Sequence, residues 1–197
     1  MNVEDISIRV PTRGRPHAQT VMQLNAIRDA NPGLPGIVYH PGSWSVARTR
    51  NEIVDHFLNT TARVLFMVDD DVVPHPNFLS MADSLHEYAL VGAPYPFRSR
   101  EHKTAWAVFD KEYMPIQHHQ GEALTEVGSI GLGCVCIARS TLDLFIPEPF
   151  VMNRDWNEDI YFCYSLRKAG MRIGCRWDCV ADHFSEVSLG DISNARG

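Results

Sequence analysis

The sequence predicts an α/β fold: a mixed, mostly parallel central sheet flanked by helices. Three observations carry this. Short apolar runs alternate with amphipathic stretches through the first half of the chain. The run Val64-Leu65-Phe66-Met67-Val68 is apolar without alternation, as in a strand covered on both faces of a parallel sheet. The 197 residues, 45% hydrophobic and 21% charged, have the composition of a globular chain with one good core. A single domain over 1–197 is therefore expected, with 1–93 and 94–197 as its two halves.

The elements follow in order. Ile6 to Val10 reads as a strand ending at Pro11. His17 to Ala30 carries Val21, Leu24 and Ile27 at helical spacing and stops at Asn31-Pro32-Gly33. Ile37 to Tyr39 is a second strand, Pro41-Gly42-Ser43 a loop, and Ser45 an N-cap for a helix running to about Asn59. The strand Val64 to Val68 comes next, then a helix from Asn77 to Tyr88 and a strand from Ala89 to Ala93. This β-α-β-α-β-α-β order implies a doubly wound sheet. Residues 94–125 lack periodicity and read as loops with a hairpin. Gly128, Gly131 and Gly133 then lead into the apolar stretch Cys134 to Ala138. Glu158 to Ala169 is a helix with Phe162, Cys163, Leu166 and Ala169 on one face and Gly170 as its stop. Arg172 to Cys175 and Val180 to Phe184 read as closing strands, with both halves sharing one sheet.

Composition excludes several classes. A formal charge of −6 argues against a nucleic-acid partner. No run approaches the roughly 18 apolar residues of a membrane span. The acidic start Met1-Asn2-Val3-Glu4-Asp5 is unlike a signal peptide, and a cytoplasmic protein is expected. Five cysteines without a repeated framework read as reduced, buried thiols rather than zinc ligands.

Asp69, Asp70 and Asp71 directly follow the third strand, where open α/β sheets bind ligands. Three adjacent carboxylates repel unless a cation or donors offset them. A hard divalent ion would remove the repulsion and leave positions for diphosphate oxygens. An extended segment would turn Asp69 and Asp71 one way and Asp70 the other. A solvated loop with aspartate capping the next turn is the alternative.

Val64 to Leu79 resembles the DXD segment of the GT-A fold glycosyltransferases, particularly those similar to family 2, together with the helix after it. Pro11-Thr12-Arg13-Gly14-Arg15 is similar to the strand and loop that hold the nucleotide base. Ser45-Val46-Ala47-Arg48-Thr49-Arg50-Asn51 resembles the family's Ala-Arg-Asn helix start. Trp156-Asn157-Glu158-Asp159 looks like the acidic motif supplying a catalytic carboxylate, and His183 lies where a late metal ligand is often placed. The resemblance spans nearly the whole chain and implies a Rossmann-like GT-A fold. It implies transfer of a sugar from a nucleotide-diphosphate sugar to a hydroxyl of a protein, glycan or small molecule, with Mn2+ or Mg2+.

Within that frame Pro11, Thr12, Arg13, Arg15, Arg50, Asn51, Asp69 and Asp70 become the nucleotide-sugar residues. Asp71 and His183, with Asp69, become the metal ligands. Asp159 would be the general base of an inverting enzyme, and Glu158 would position the acceptor. Trp156, Tyr95 and Gly133 would face that acceptor.

The residues speak partly for themselves. In the second helix Arg48, Glu52, Asp55 and Asn59 form a polar stripe, while Arg50 and Asn51 face the sheet side of its first turn. A cation there needs a partner, which the aspartates at the strand end would supply; the alternative is an arginine snorkelling to solvent. Arg13 and Arg15 suit phosphate or base contacts, or are ordinary loop arginines. Asp159 is also explained as a helix cap, His183 as structural, His17 as a cap, and Tyr95 and Trp106 as core. His118-His119 reads as solvated loop.

Two rivals share the acidic motif. A haloacid-dehalogenase-type phosphohydrolase, with its Asp-x-Asp-x-Val nucleophile signature, fits Val68-Asp69-Asp70-Asp71-Val72-Val73, though two strand–helix units precede it. A non-catalytic nucleotide-sugar or glycan-binding module fits the same fold. Donor base, sugar, acceptor and stereochemistry stay open, as does a homo-oligomer.

Overall fold

The computed structural model describes residues 2–42, 45–96, 106–116, 121–145, 147–154 and 156–184. Ser43, His118, His119 and Asp155 lie outside them. The chain runs β1 (Ile6–Thr12), α1 (Ala18–Ala30), β2 (Val38–Pro41), α2 (Val46–Leu58), β3 (Val64–Val68), β4 (Val72–Val73) and β5 (Leu90–Gly92). It continues through β6 (Val108–Phe109), β7 (Leu124–Val127), β8 (Ser129–Ile130), β9 (Cys134–Ala138), α3 (Arg139–Leu142), α4 (Glu158–Lys168), β10 (Ile173–Arg176) and β11 (Asp182–His183).

Seven strands form one sheet in the order β2-β1-β3-β9-β5-β10-β7. β2, β1, β3, β5 and β10 run the same way, and β9 and β7 run against them. This is the mixed, mostly parallel sheet of a Rossmann-like GT-A fold, with strands from both halves of the chain.

Alternation divides the core between the two faces. Ile6, Ile8 and Val10 of β1, Phe66 of β3 and Cys134 and Cys136 of β9 pack with Leu24 and Ile27 of α1. Leu65, Met67, Val135 and Ile137 pack on the other face with Ile53, Val54 and Phe57 of α2 and Phe162, Cys163 and Leu166 of α4. Burying a Leu, Ile or Phe is worth about 1.5–3 kcal/mol. A one-residue slip of β3 would exchange both faces at once, so its register is tightly specified. All five cysteines are buried and unpaired.

The expected helix from Asn77 to Tyr88 is instead a 3-10 helix over Phe78–Ser84. Its buried Phe78, Met81 and Ser84 recur every three residues, which a tight three-residue turn keeps on one face. Arg176 Nη1 draws off the Ser80 carbonyl at 3.2 Å. Val180 to Phe184 was expected to close the sheet; only Asp182–His183 is extended, and it pairs with β4 outside the main sheet. The stretch read as loops and a hairpin holds the short β6, and at its end begins β7, an edge strand antiparallel to β10. Its Thr125 is half-buried and its Glu126 exposed, so apolar alternation is missing. Glu126 accepts from Arg172 at 2.7 Å and pairs with Lys111 at 2.8 Å, the charged character usual at a sheet edge.

Ser45 is the N-cap residue of α2, but its side chain makes no capping hydrogen bond. At the other end Arg139 donates to the carbonyls of Phe57, Leu58, Thr60 and Ala62, satisfying the open end of α2. No helix among the described residues is long and apolar enough to cross a membrane.

Candidate functional site

The carboxyl ends of β1, β2 and β3 open into a cleft of about 340 Å³ lined by Pro11, Thr12, Arg13, Gly42, Val46, Thr49, Asp69, Asp70, Asp71 and His183. Seven of the site residues expected from the sequence are in this wall, and Arg15, Arg50, Asn51, Tyr95, Gly133, Trp156, Glu158 and Asp159 are not.

The Asp69–Asp71 backbone is a turn, not an extended segment, because Val72 N–H donates back to Asp69 O at 3.1 Å. Each aspartate is pinned by a different element. Asp69 N–H donates to Gly133 O at 2.8 Å, His17 N–H donates to Asp70 O at 2.7 Å, and Phe184 N–H donates to Asp71 O at 2.9 Å. The side chains therefore diverge. Asp69 accepts from Arg50 Nη2 at 2.8 and 3.1 Å. Asp70 Oδ2 accepts from the backbone N–H of Arg13 at 3.1 Å. Asp71 Oδ1 lies 3.7 Å from His183 Nε2, beyond hydrogen-bond range.

Arg50 reaches the site from the first turn of α2 with a side chain only 4% exposed. Its Nη1 donates to Glu158. Burial works against the guanidinium charge, and Asp69 and Glu158 more than offset it, raising the Arg50 pKa. Glu158 is itself buried, so the structure places it against Arg50 rather than facing an acceptor. Asn51 is also engaged elsewhere: its amide brackets the backbone of Phe150 with bonds of 2.8 and 2.9 Å. It therefore anchors the 150 segment and does not line the cleft.

Asp159, half-buried beside this pair, accepts from Ile160 N–H at 2.7 Å. Burial and then the Glu158 carboxylate push its pKa up to about 6, against the opposing pull of Ile160 N–H and Arg50. A carboxylate titrating there is mostly ionised at neutral pH yet basic enough to take a proton.

His183 Nδ1 lies 2.9 Å from Pro96 O, an acceptor that holds a proton on Nδ1, and Nε2 is the ring nitrogen on the side of Asp71. A carbonyl behind an imidazole is the usual support for a metal-binding histidine. The oxygen and nitrogen of Asp71 and His183 suit Mn2+, and Mg2+ less well. Asp69, expected as a third ligand, is held by Arg50 instead. Among the described residues no group of three or more His, Cys, Asp or Glu stands ready to hold a metal ion. Among the described residues, Asp71 and His183 are the pair that could contribute to holding one.

Of the arginines in the first loop, Arg13 lines the cleft while Arg15 is exposed and does not. Gly42, Val46 and Thr49 also line it, although none of them carried a site role from the sequence. In the structure a Cβ at Gly42 would stand 3.0 Å from Thr12 O. Tyr95, expected to face an acceptor, is buried, and its hydroxyl accepts from Gly133 N–H at 3.0 Å. Burial, and then Asp69 and Asp159, raise its pKa. Trp156 is half-buried in a group of rings, 5.4 Å from Tyr113 and 4.8 Å from Tyr164.

No family model and no curated protein matches the sequence. Solved structures do. The protein A197 from STIV aligns with a TM-score of 0.73 at 22% identity, over 92% of this chain and 86% of that one. GalNAc-T7, solved with UDP, GalNAc and Mn2+, aligns with a TM-score of 0.62 at 9% identity, over 93% of this chain. The match takes in 44% of the GalNAc-T7 chain. These likenesses show a GT-A-like fold.

Proposed function

We propose that the protein is a glycosyltransferase that moves a sugar from a nucleotide-diphosphate donor to an acceptor hydroxyl. The carrying observation is the aspartate turn, which sends one carboxylate to Arg50, one to the Arg13 loop and one toward His183. GalNAc-T7, a GT-A glycosyltransferase with UDP and Mn2+ in its structure, supports the same reading at the level of fold.

In this reading Pro11, Thr12 and Arg13 border the nucleotide, and Asp70 orders the Arg13 loop from one oxygen while the other meets the ribose. Asp71 and His183 would hold Mn2+ or Mg2+, which when bound would supply positive charge against that of the departing diphosphate. Arg50 fixes Asp69 at the edge of the donor and brings a buried positive charge to the same side. The acceptor oxygen attacks the anomeric carbon as the bond to the diphosphate oxygen breaks, and Asp159 takes the hydroxyl proton. Trp156 and its neighbouring tyrosines form the acceptor side, where aromatic faces suit a sugar ring or a peptide. The five reduced thiols fit a cytoplasmic location.

The phosphohydrolase alternative requires Asp69 as a nucleophile. Both oxygens of Asp69 are already taken by Arg50, which disfavours it. A binding module without turnover shares the donor contacts and differs only in needing no base at Asp159. Calorimetric titration with a panel of nucleotide-diphosphate sugars, UDP-sugars first, tests the proposal. Metal-dependent binding of one donor is expected; no binding across the panel with Mn2+ present would reject it.

A further inference from the structure

Residues 93–96, which follow β5, touch two sides of the aspartate turn's support, the loop before β9 and the strand β11. Ala93 N–H donates to Cys134 O at 2.9 Å, Ala181 N–H donates to Pro94 O at 3.0 Å, and Ala107 N–H donates to Tyr95 O at 2.8 Å. Pro96 O receives His183 Nδ1. Tyr95 stands in the middle. On one side its hydroxyl accepts from Gly133 N–H, and Gly133 O in turn accepts from Asp69 N–H. On the other its ring meets the His183 ring edge-on, with centroids 5.2 Å apart and planes at 78°.

The neighbouring glycines are shaped to this side chain. A Cβ at Gly131 would stand 2.1 Å from the Tyr95 hydroxyl oxygen, and one at Gly133 would stand 2.8 Å from Tyr95 Cζ. Neither distance is tolerable, so the loop before β9 closes on Tyr95 only because both positions lack side chains. Core packing alone does not require this: an apolar ring would fill the space without giving Gly133 N–H an acceptor.

We infer that Tyr95 is a positioning residue that couples the two arms of the site, setting Asp69 through Gly133 with its hydroxyl and His183 with its ring. Asp69 carries Arg50 and Glu158 with it, so the relay extends from β11 to the start of α4. The kinetic consequence rests on the glycosyltransferase reading; the coupling itself does not.

Two variants of the full chain separate the arms. Tyr95→Phe deletes the hydroxyl and keeps the ring, while Tyr95→Leu deletes both. Amide hydrogen exchange at Gly133 and Asp69 should accelerate by about tenfold or more in both variants, with Ile8 in β1 unchanged. Affinity for Mn2+ alone should stay within about twofold of wild type in Tyr95→Phe and fall about tenfold in Tyr95→Leu. With a donor substrate, Tyr95→Phe should lower kcat by about tenfold with donor KM little changed, since orientation rather than contact is lost. Wild-type exchange at Gly133 and Asp69 in Tyr95→Phe would overturn the inference, as would equal loss of Mn2+ affinity in both variants. A wild-type protein that neither binds Mn2+ nor turns over a sugar nucleotide would fail the functional reading instead, and the exchange rates would then decide the coupling alone.

Discussion

Arg50 on α2 and Asp69 at the end of β3 meet through a two-oxygen contact of 2.8 and 3.1 Å, with the arginine side chain 4% exposed. Glu158 at the start of α4 closes the group from the other side. Three elements far apart in sequence thus converge on one buried cation, and the candidate base Asp159 is the next residue along.

Removing that cation should be costly. Arg50→Met leaves Asp69 and Glu158 facing each other without a counter-charge, and breaking a buried pair in this way costs about 3–5 kcal/mol. For a chain of this size that corresponds to a fall in Tm of about 10 °C, measurable by scanning calorimetry. The double variant Arg50→Met with Glu158→Gln should recover part of the loss, because the two changes share a partner.

Asp159 should set the acid limb of activity. As a base it must be ionised, so kcat/KM should rise as pH increases through about 6 and level off above it. Stability should move the opposite way. The folded state holds the Asp159 proton more tightly than the unfolded chain, whose aspartate has its ordinary pKa. Below that ordinary value both states hold the proton and this contribution is fully present; it is lost as pH rises from there through about 6. Asp159→Asn should abolish the acid limb and remove this part of the stability change, as read from pH-dependent unfolding midpoints.

Gly131→Ala should destabilise by about 1–3 kcal/mol, because its new methyl collides with the Tyr95 hydroxyl. Combining it with Tyr95→Phe should be less damaging than the sum of the two single changes, since the colliding oxygen is gone. Denaturant midpoints of the four proteins give the coupling directly.

Much of this was legible in the residues, and the rest was hidden for identifiable reasons. The unbroken apolar run Val64–Val68 marked the central strand, and the carboxylates after it marked the sheet edge where the cleft opens. Facing alone placed Arg50 toward the sheet, where the aspartates at the strand end were expected as partners; the structure selects Asp69 among them. Glu158 as its second partner was not readable, because it lies 108 positions away and nothing local distinguishes a buried glutamate from a capping one. The divergence of Asp69, Asp70 and Asp71 was likewise hidden: a turn closed by Val72 and held by backbone bonds with Gly133, His17 and Phe184 replaces the extended geometry that neighbouring residues imply. Asn51 fitted a donor contact by position but is consumed by Phe150, a long-range partner. The edge strand β7 lacked alternation since its outward side chains bridge charges. The 3-10 helix at Phe78–Ser84 shares its apolar spacing with an α-helix over so short a run.

Metal binding can be examined without knowing the sugar. Mn2+ at about 100 times its dissociation constant should stabilise the protein by about 2.7 kcal/mol, read as a rise in Tm. Asp71→Ala and His183→Ala should each erase most of that rise, and Asp69→Asn should retain it, because Asp69 belongs to Arg50.

The most direct measurement is turnover of the nucleotide-diphosphate sugar identified by binding, with and without Mn2+, in wild type and Asp71→Ala at matched folded fractions. Sugar release or transfer that requires Mn2+ in wild type and is lost in Asp71→Ala is the predicted result. Equal rates in the two proteins, or equal rates with and without the metal, would contradict the assignment of the aspartate turn as the donor-binding edge of a metal-dependent glycosyltransferase.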